Sequence, residues 1–297
     1  MDASFLQRLA AGPLLGDGAL GTLVLAQGVA PAHPLEALTL TDRARLIALH
    51  RAYLAAGAEV LTTNTFGANR LRLAPHGLDA DVQVLNTQAV VLARTAREGA
   101  HGPVFVAGAI RPLGVSPPGV QELGAEAVRA VFREQAHGLR EGGVDLYLLE
   151  TFGNVEELAW AVEGVRSVCD RPLVAQLTVG ADGRTLAGQT LAEAWARLRQ
   201  LAIPLLGSNC NPGPQATLEV IQTLAALGAP RPLAAFPRAG LPTHVGTGWA
   251  YAVTPEALAA YARPLVAAGV GLLGGCCGTT PAHIRALRAA LGPPRAA

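Results

Sequence analysis

The chain has 297 residues, of which 51% are hydrophobic and only 15% charged, with a formal net charge of +1; that composition builds a large core and excludes a disordered polyelectrolyte. All 23 basic residues are arginine and none forms a basic tract, so neither nucleic acid nor an anionic membrane surface is an expected partner. Mean hydropathy is positive, +0.32, yet Arg, Asp or Glu interrupts every run approaching about 18 apolar residues, so no spanning helix is expected. The first residues, MDASFLQRLAAGP, lack a basic segment leading into a long apolar one, so no signal peptide is expected. Four cysteines do not make a disulfide framework in a chain this long; thiols free or bound to metal in a reducing, cytoplasmic setting are expected.

In chain order, short apolar runs predict strands at 13–15, 59–62, 104–109, 146–149, 173–178, 205–208, 233–235 and 270–273. Amphipathic segments between them predict helices at 42–56, 81–98, 122–141, 155–168, 191–201, 215–227, 255–268 and 281–291. Thr254-Pro255-Glu256 and Thr280-Pro281 place a hydroxyl at the N-cap and proline at the first helical position. In the last helix Ile284, Leu287 and Leu291 fall at i, i+3 and i+7, one apolar face for a sheet. Eight strand-then-helix repeats predict a parallel sheet covered by helices. Closure at eight units gives an α/β fold, a single (β/α)8 TIM-type barrel domain over residues 1–297; an open doubly wound sheet is the alternative. The long connections 110–121 and 237–254 follow strand C-termini and belong on the catalytic face.

Cys210 lies in Gly207-Ser208-Asn209-Cys210-Asn211-Pro212-Gly213, just beyond the sixth strand. Cys276 and Cys277 lie in Gly274-Gly275-Cys276-Cys277-Gly278-Thr279-Thr280-Pro281, beyond the eighth. All three therefore share one rim. Adjacent side chains of a strand point to opposite faces, but a loop flanked by glycines turns enough for both sulfurs to converge. Strands six and eight stand about 9–10 Å apart, so the loops must lean inward to share a zinc ion at about 2.3 Å per bond. Cys169, at the opposite rim, is expected to be a small core hydrophobe. Three thiolates and an open position are the arrangement of catalytic rather than structural zinc. So electron-rich a site suits the holding of a further thiolate better than hydrolysis. A thiol with a free pKa of about 8.5 is deprotonated on zinc at neutral pH. Cys210 by itself would read as an incidental core thiol, and a strained vicinal disulfide is the rival for the Cys-Cys pair.

With Gly16-Asp17-Gly18-Ala19-Leu20-Gly21-Thr22, Thr63-Asn64-Thr65-Phe66-Gly67-Ala68-Asn69-Arg70 and Glu150-Thr151-Phe152, these segments resemble, nearly end to end, the signatures of the homocysteine S-methyltransferase family. The resemblance implies a β/α barrel, a Zn2+ site on Cys210, Cys276 and Cys277, and homocysteine as methyl acceptor. It implies further that Glu150 holds the substrate ammonium and that Asp17 lies near the bound amino acid. Both acids follow strand C-termini, on the rim that carries the thiols. Gly18 and the Asn64-Thr65-Phe66 turn are placed to offer N–H groups to the amino-acid carboxylate. A solvated loop acid is the alternative for Glu150, and an ordinary Asp-Gly turn for Asp17.

Two positions depart from the family pattern. Pro237-Arg238-Ala239-Gly240 carries arginine where methionine-synthase-type modules carry asparagine, and Gly108-Ala109-Ile110-Arg111-Pro112 carries arginine where glycine is usual. Arginines on the donor side bind a carboxylate or phosphate and are unwelcome beside a sulfonium or quaternary ammonium. The Gly16-x-Gly18-x-x-Gly21 spacing mimics a dinucleotide fingerprint, but Asp17 would face the pyrophosphate and Pro31 and Pro34 interrupt the required helix. His283 is expected at the surface, with metal ligation as the alternative. Trp160, Trp249 and Tyr251 are expected to pack, with lining of the donor site as the alternative for the last two.

The expected reaction is zinc-dependent transfer of a methyl group to homocysteine, forming methionine. The donor stays open among betaine, S-methylmethionine, S-adenosylmethionine, methylcobalamin and methyltetrahydrofolate. No cobalamin domain is read here, so a corrinoid or folate would come from a separate protein or from solution. A non-catalytic homocysteine- or zinc-binding subunit of a larger methyl-transfer system is the alternative that Arg111 and Arg238 favour. A redox sensor at Cys276–Cys277 is a third.

Overall fold

The computed structural model describes residues 4–100, 102–245 and 248–294. Its strands are β1 (Leu14–Leu15), β2 (Val60–Thr62), β3 (Phe105–Ile110), β4 (Leu146–Phe152), β5 (Leu173–Leu177), β6 (Leu205–Asn209), β7 (Leu233–Phe236), β8 (Pro242–Val245), β9 (Gly248–Tyr251) and β10 (Val270–Leu273). Eight of them form one parallel sheet in the order β1-β10-β7-β6-β5-β4-β3-β2. A parallel bridge between Gly16 and Val60, with Glu59 N–H donating to Leu15 O at 2.7 Å and Asp17 N–H to Val60 O at 2.9 Å, joins the two ends. The ring is therefore the (β/α)8 barrel that the eight repeats imply.

The period-2 alternation of each strand separates two cores. Leu146 and Leu148 of β4, Val174 of β5, Leu205 of β6 and Leu272 of β10 fill the barrel interior. Tyr147, Leu149, Leu173, Ala175 and Leu273 face outward against the helices. Each fully buried Leu or Val contributes roughly 1.5–3 kcal/mol. The N-terminal mouth is plugged by a helix, Phe5–Ala11, which sequence reading passed over. Its Ser4/Gln7 capping box fixes the start and it buries Phe5, Arg8 and Leu9. Phe5 meets Phe105 edge-on at 5.6 Å. Arg8 and Arg288 both pair with the Glu59 carboxylate.

Three other segments differ from expectation. The helix expected at 255–268 is two, Pro255–Ala259 and Ala262–Ala267. Pro264 has no N–H, and its ring crowds the carbonyl of Ala260, where the break falls. The connection after β3 carries its own helix, Pro117–Leu123, capped by Ser116. The connection after β7 folds into the β8–β9 antiparallel hairpin. Among the described residues no helix is long and apolar enough to cross a membrane.

Candidate active site

β6 ends at Asn209, and the next residue, Cys210, takes φ +57°, a left-handed conformation uncommon outside glycine. Its N–H still donates to Phe236 O of β7 at 3.1 Å, so the main chain stays docked while the side chain turns inward. Beyond β10, Gly274 lets the Phe236 ring approach so closely that a Cβ there would lie 2.3 Å from it. Gly278, at φ +81°, is pressed equally closely by the Tyr251 ring. These two positions allow the Cys276-Cys277 loop to fold over the mouth of the barrel.

The sulfurs meet there. Cys210 Sγ is 3.5 Å from Cys277 Sγ, and Cys276 Sγ is 4.0 Å from Cys277 Sγ. All three lie within 4.8 Å of one another. Tetrahedral ligands at about 2.3 Å from zinc stand about 3.8 Å apart, so the donor set fits that ion in type and spacing. Hydrogen bonds from its two sister thiols, then the Arg238 guanidinium 3.1 Å away, hold the Cys210 thiol well below its usual range. Cys276 and Cys277 are pushed up in return, chiefly as partners of Cys210. Cys169 stays out of the cluster, 3.4 Å from the Tyr147 hydroxyl.

A cavity of about 670 Å³ opens above the sulfurs and is walled by Asp17, Gly18 and Glu150 among others. Asp17 Oδ2 accepts from Thr62 N–H and Oδ1 from the Thr62 hydroxyl, each at 2.7 Å. Burial outweighs these bonds and raises its pKa to about 7. Glu150 is raised to about 8, first by burial and then by the negative Cys210 and Asp17 nearby. Asp17 and Glu150 thus face one cavity as two carboxyls whose burial disfavours the charged form.

Asn209, to which sequence reading gave no role, ties these parts together. Its Nδ2 donates to Glu150 Oε2 at 3.2 Å and to the Thr151 hydroxyl at 2.8 Å, and lies 3.7 Å from Cys276 Sγ. Its Oδ1 accepts from Thr151 N–H at 2.7 Å, which fixes Thr151 at φ +66°. The position of Asn209 directly before Cys210 at a strand C-terminus was the available signal.

The other expected residues divide. Gly18 lines the cavity, and its N–H has no partner among the described residues. Thr65 lies behind the wall instead. Its N–H is spent on Thr63 O and its hydroxyl on Thr63 Oγ1 and Ala109 O, so it is a structural neighbour of the cavity rather than a lining residue. Phe66 takes its place in the wall. His283 is buried, not superficial: its Nδ1 accepts from Thr280 N–H at 3.2 Å and its Nε2 lies 3.0 Å from Val253 O. It caps the last helix. Tyr251 lines the cavity, whereas Trp249 is exposed on the hairpin. Arg72, Arg111 and Arg238 also line it.

Comparison with known proteins places this arrangement. Residues 14–291 match the family model described as homocysteine S-methyltransferase. The methionine synthase of Mycobacterium leprae is 33% identical over 98% of this chain, and that of Mycobacterium tuberculosis 32% identical over 98%. The chain spans about a quarter of the length of these curated relatives, 25% in each case. Among solved structures, the homocysteine methyltransferase MmuM from Escherichia coli superposes with TM-score 0.80 in its oxidized form, at 30% identity, over 93% of this chain and 95% of that one. Its metallated form superposes with TM-score 0.79 at 30% identity, over 94% of this chain and 96% of that one.

Proposed function

The chain belongs to the homocysteine S-methyltransferase family, and from that premise we propose that it transfers a methyl group to the thiol of homocysteine, forming methionine, with zinc as its metal. The observation that carries the reading is three cysteine sulfurs within 4.8 Å of one another in a cavity that also presents Glu150 and Asp17. Cys210, Cys276 and Cys277 would hold the ion, and zinc bound there would supply a thiolate nucleophile at neutral pH.

The chain's own residues do the rest. Glu150 and Asp17 receive the ammonium of the amino acid, whose positive charge draws both carboxyls back toward ionisation. Asn209 fixes the Glu150 carboxyl through the 3.2 Å bond. The N–H of Gly18 and the Phe66 turn are the donors for the amino-acid carboxylate. The wall of the cavity fixes the acceptor so that its sulfur points at the donor methyl, an alignment that lowers the barrier without a further catalytic group. The 297 residues act as one homocysteine-binding domain, and free thiols suit a reducing, cytoplasmic compartment.

A donor panel of betaine, S-methylmethionine, S-adenosylmethionine, methylcobalamin and methyltetrahydrofolate, with zinc quantified, tests this. Methionine should form with at least one donor at about one zinc per chain. Cys276→Ala should lose both metal and turnover; full turnover in a zinc-free variant would sink the mechanism. The second reading, a non-catalytic subunit, draws on Arg238 lying 3.1 Å from Cys210 Sγ. Methionine formation by the purified chain would reject it.

A further inference from the structure

Most arginines of this molecule that approach the interior are paired. Arg8 and Arg288 hold Glu59, Arg97 holds Asp145, and Arg129 holds Glu163. Arg111 is different. It follows β3, its N–H donates to Phe66 O at 3.2 Å, and its guanidinium lies over the Phe66 ring, 4.6 Å from the centroid. Its Nε is buried with no hydrogen-bond partner, and no carboxylate among the described residues forms an ion pair with it. Burial and the like charge of Arg72 both press its pKa down, while Glu36, Glu150 and Glu157 pull the other way from a distance. Arg72 lies over Gly114, so that a Cβ there would be 2.6 Å from its Nη1. It too lines the cavity and has no ion pair among the described residues.

Arg238, the third arginine of the cavity, sits 3.1 Å from Cys210 Sγ; Arg111 and Arg72 have no such partner and repel each other, and Arg111 also loses hydration by burial. An oxyanion between them supplies the missing partner and suits the planar fork of arginine. Their place in the fold indicates whose oxyanion it is. Arg72 lies between β2 and β3 and Arg111 follows β3, whereas the sulfurs follow β6 and β10, in other sectors of the ring. A cavity of about 670 Å³ holds more than one small amino acid. Glu150 and Asp17 already define the acceptor's ammonium site.

We propose that Arg111 and Arg72 form an oxyanion subsite that binds a carboxylate or phosphate of the methyl donor, at the end of the donor away from the transferred methyl. This assignment rests on the methyl-transfer reading above. It selects donors that carry an anionic group and works against a bare onium compound.

The test is calorimetric titration of the zinc-loaded full chain, saturated with homocysteine, with glutarate and separately with inorganic phosphate. At least one anion should bind saturably at one per chain, and the tighter of the two identifies the donor's anionic group. Arg111→Gln should weaken that binding tenfold or more, Arg111→Lys should recover part of it, and the exposed Arg72→Gln should weaken it several-fold. Homocysteine affinity should stay within twofold throughout. No saturable anion binding by the wild type, or unchanged binding in Arg111→Gln, overturns the subsite. Loss of homocysteine affinity in Arg111→Gln overturns the donor assignment by moving the arginine to the acceptor. If the wild-type chain takes up no homocysteine, the methyl-transfer reading fails by itself, and titrating the anions alone still decides whether Arg111 binds them.

Discussion

Asn209 divides its amide between Glu150, Thr151 and the neighbourhood of the Cys276 sulfur, so one side chain aligns the Glu150 carboxyl with the thiols. Removing it frees the Glu150 carboxyl, at a cost of about 1.5 kcal/mol, the upper end for a hydrogen bond between uncharged groups. Asn209→Ala is expected to raise the KM for homocysteine about tenfold while zinc content stays near one per chain; loss of zinc instead would assign Asn209 to the metal. His50 gives a separate prediction. It is buried with neither ring nitrogen bonded, and burial lowers its pKa from 6.5 to about 4. Between those values the unfolded chain takes up a proton that the folded chain refuses. Stability is therefore full above the unfolded pKa of about 6.5 and falls by about 3 kcal/mol as the pH approaches the folded value. Urea midpoints from pH 7 to pH 4 should show this slope, and His50→Leu should flatten its share. The thiols, Glu150 and Asp17 were legible because their types and positions carry the chemistry. Asn209 was not, because an amide acquires a role only from residues distant in sequence. His283 was misplaced for the same reason: its partner Val253 O comes from another segment.

The strands show why so much of the site can be read from a pattern. Leu146 and Leu148 point into the barrel, and the same alternation carried two residues further turns Glu150 into the cavity. The N-terminal plug was missed although Ser4 and Gln7 spell its capping box; its burial depends on the open end of a barrel that no local window contains. Its main ionic anchor is Glu59, which Arg8 and Arg288 both hold. Breaking a buried pair strands a charge and costs about 3–5 kcal/mol. Glu59→Gln should therefore lower the unfolding free energy by about 3 kcal/mol in urea titrations, with homocysteine affinity unchanged because the plug sits at the far rim. The single helix expected at 255–268 failed at Pro264, a breaker visible in the sequence but outweighed by the apolar spacing around it.

At the scale of the molecule, the three cysteines come from loops that follow β6 and β10, so a metal bound there would join parts of the ring that local folding leaves independent. A ligand bound only by the native state stabilises it by about 4 kcal/mol at a thousandfold excess over its Kd. Stripping the metal with a chelator should lower the Tm of the wild-type chain by several degrees and leave Cys210→Ala unmoved; equal shifts in both would remove the cysteines from the explanation. The eight-unit architecture was legible because repeated strand-then-helix spacing permits few other solutions. The nature of the donor was not legible, since Arg72, Arg111 and Arg238 meet in one cavity only through the fold. β1 and β10 lie side by side, and Gly275 N–H donates to Asp17 O at 2.9 Å. During translation Cys210 emerges before Cys276 and Cys277, and Asp17 before Gly275, so this rim is not assembled until synthesis has passed Cys277.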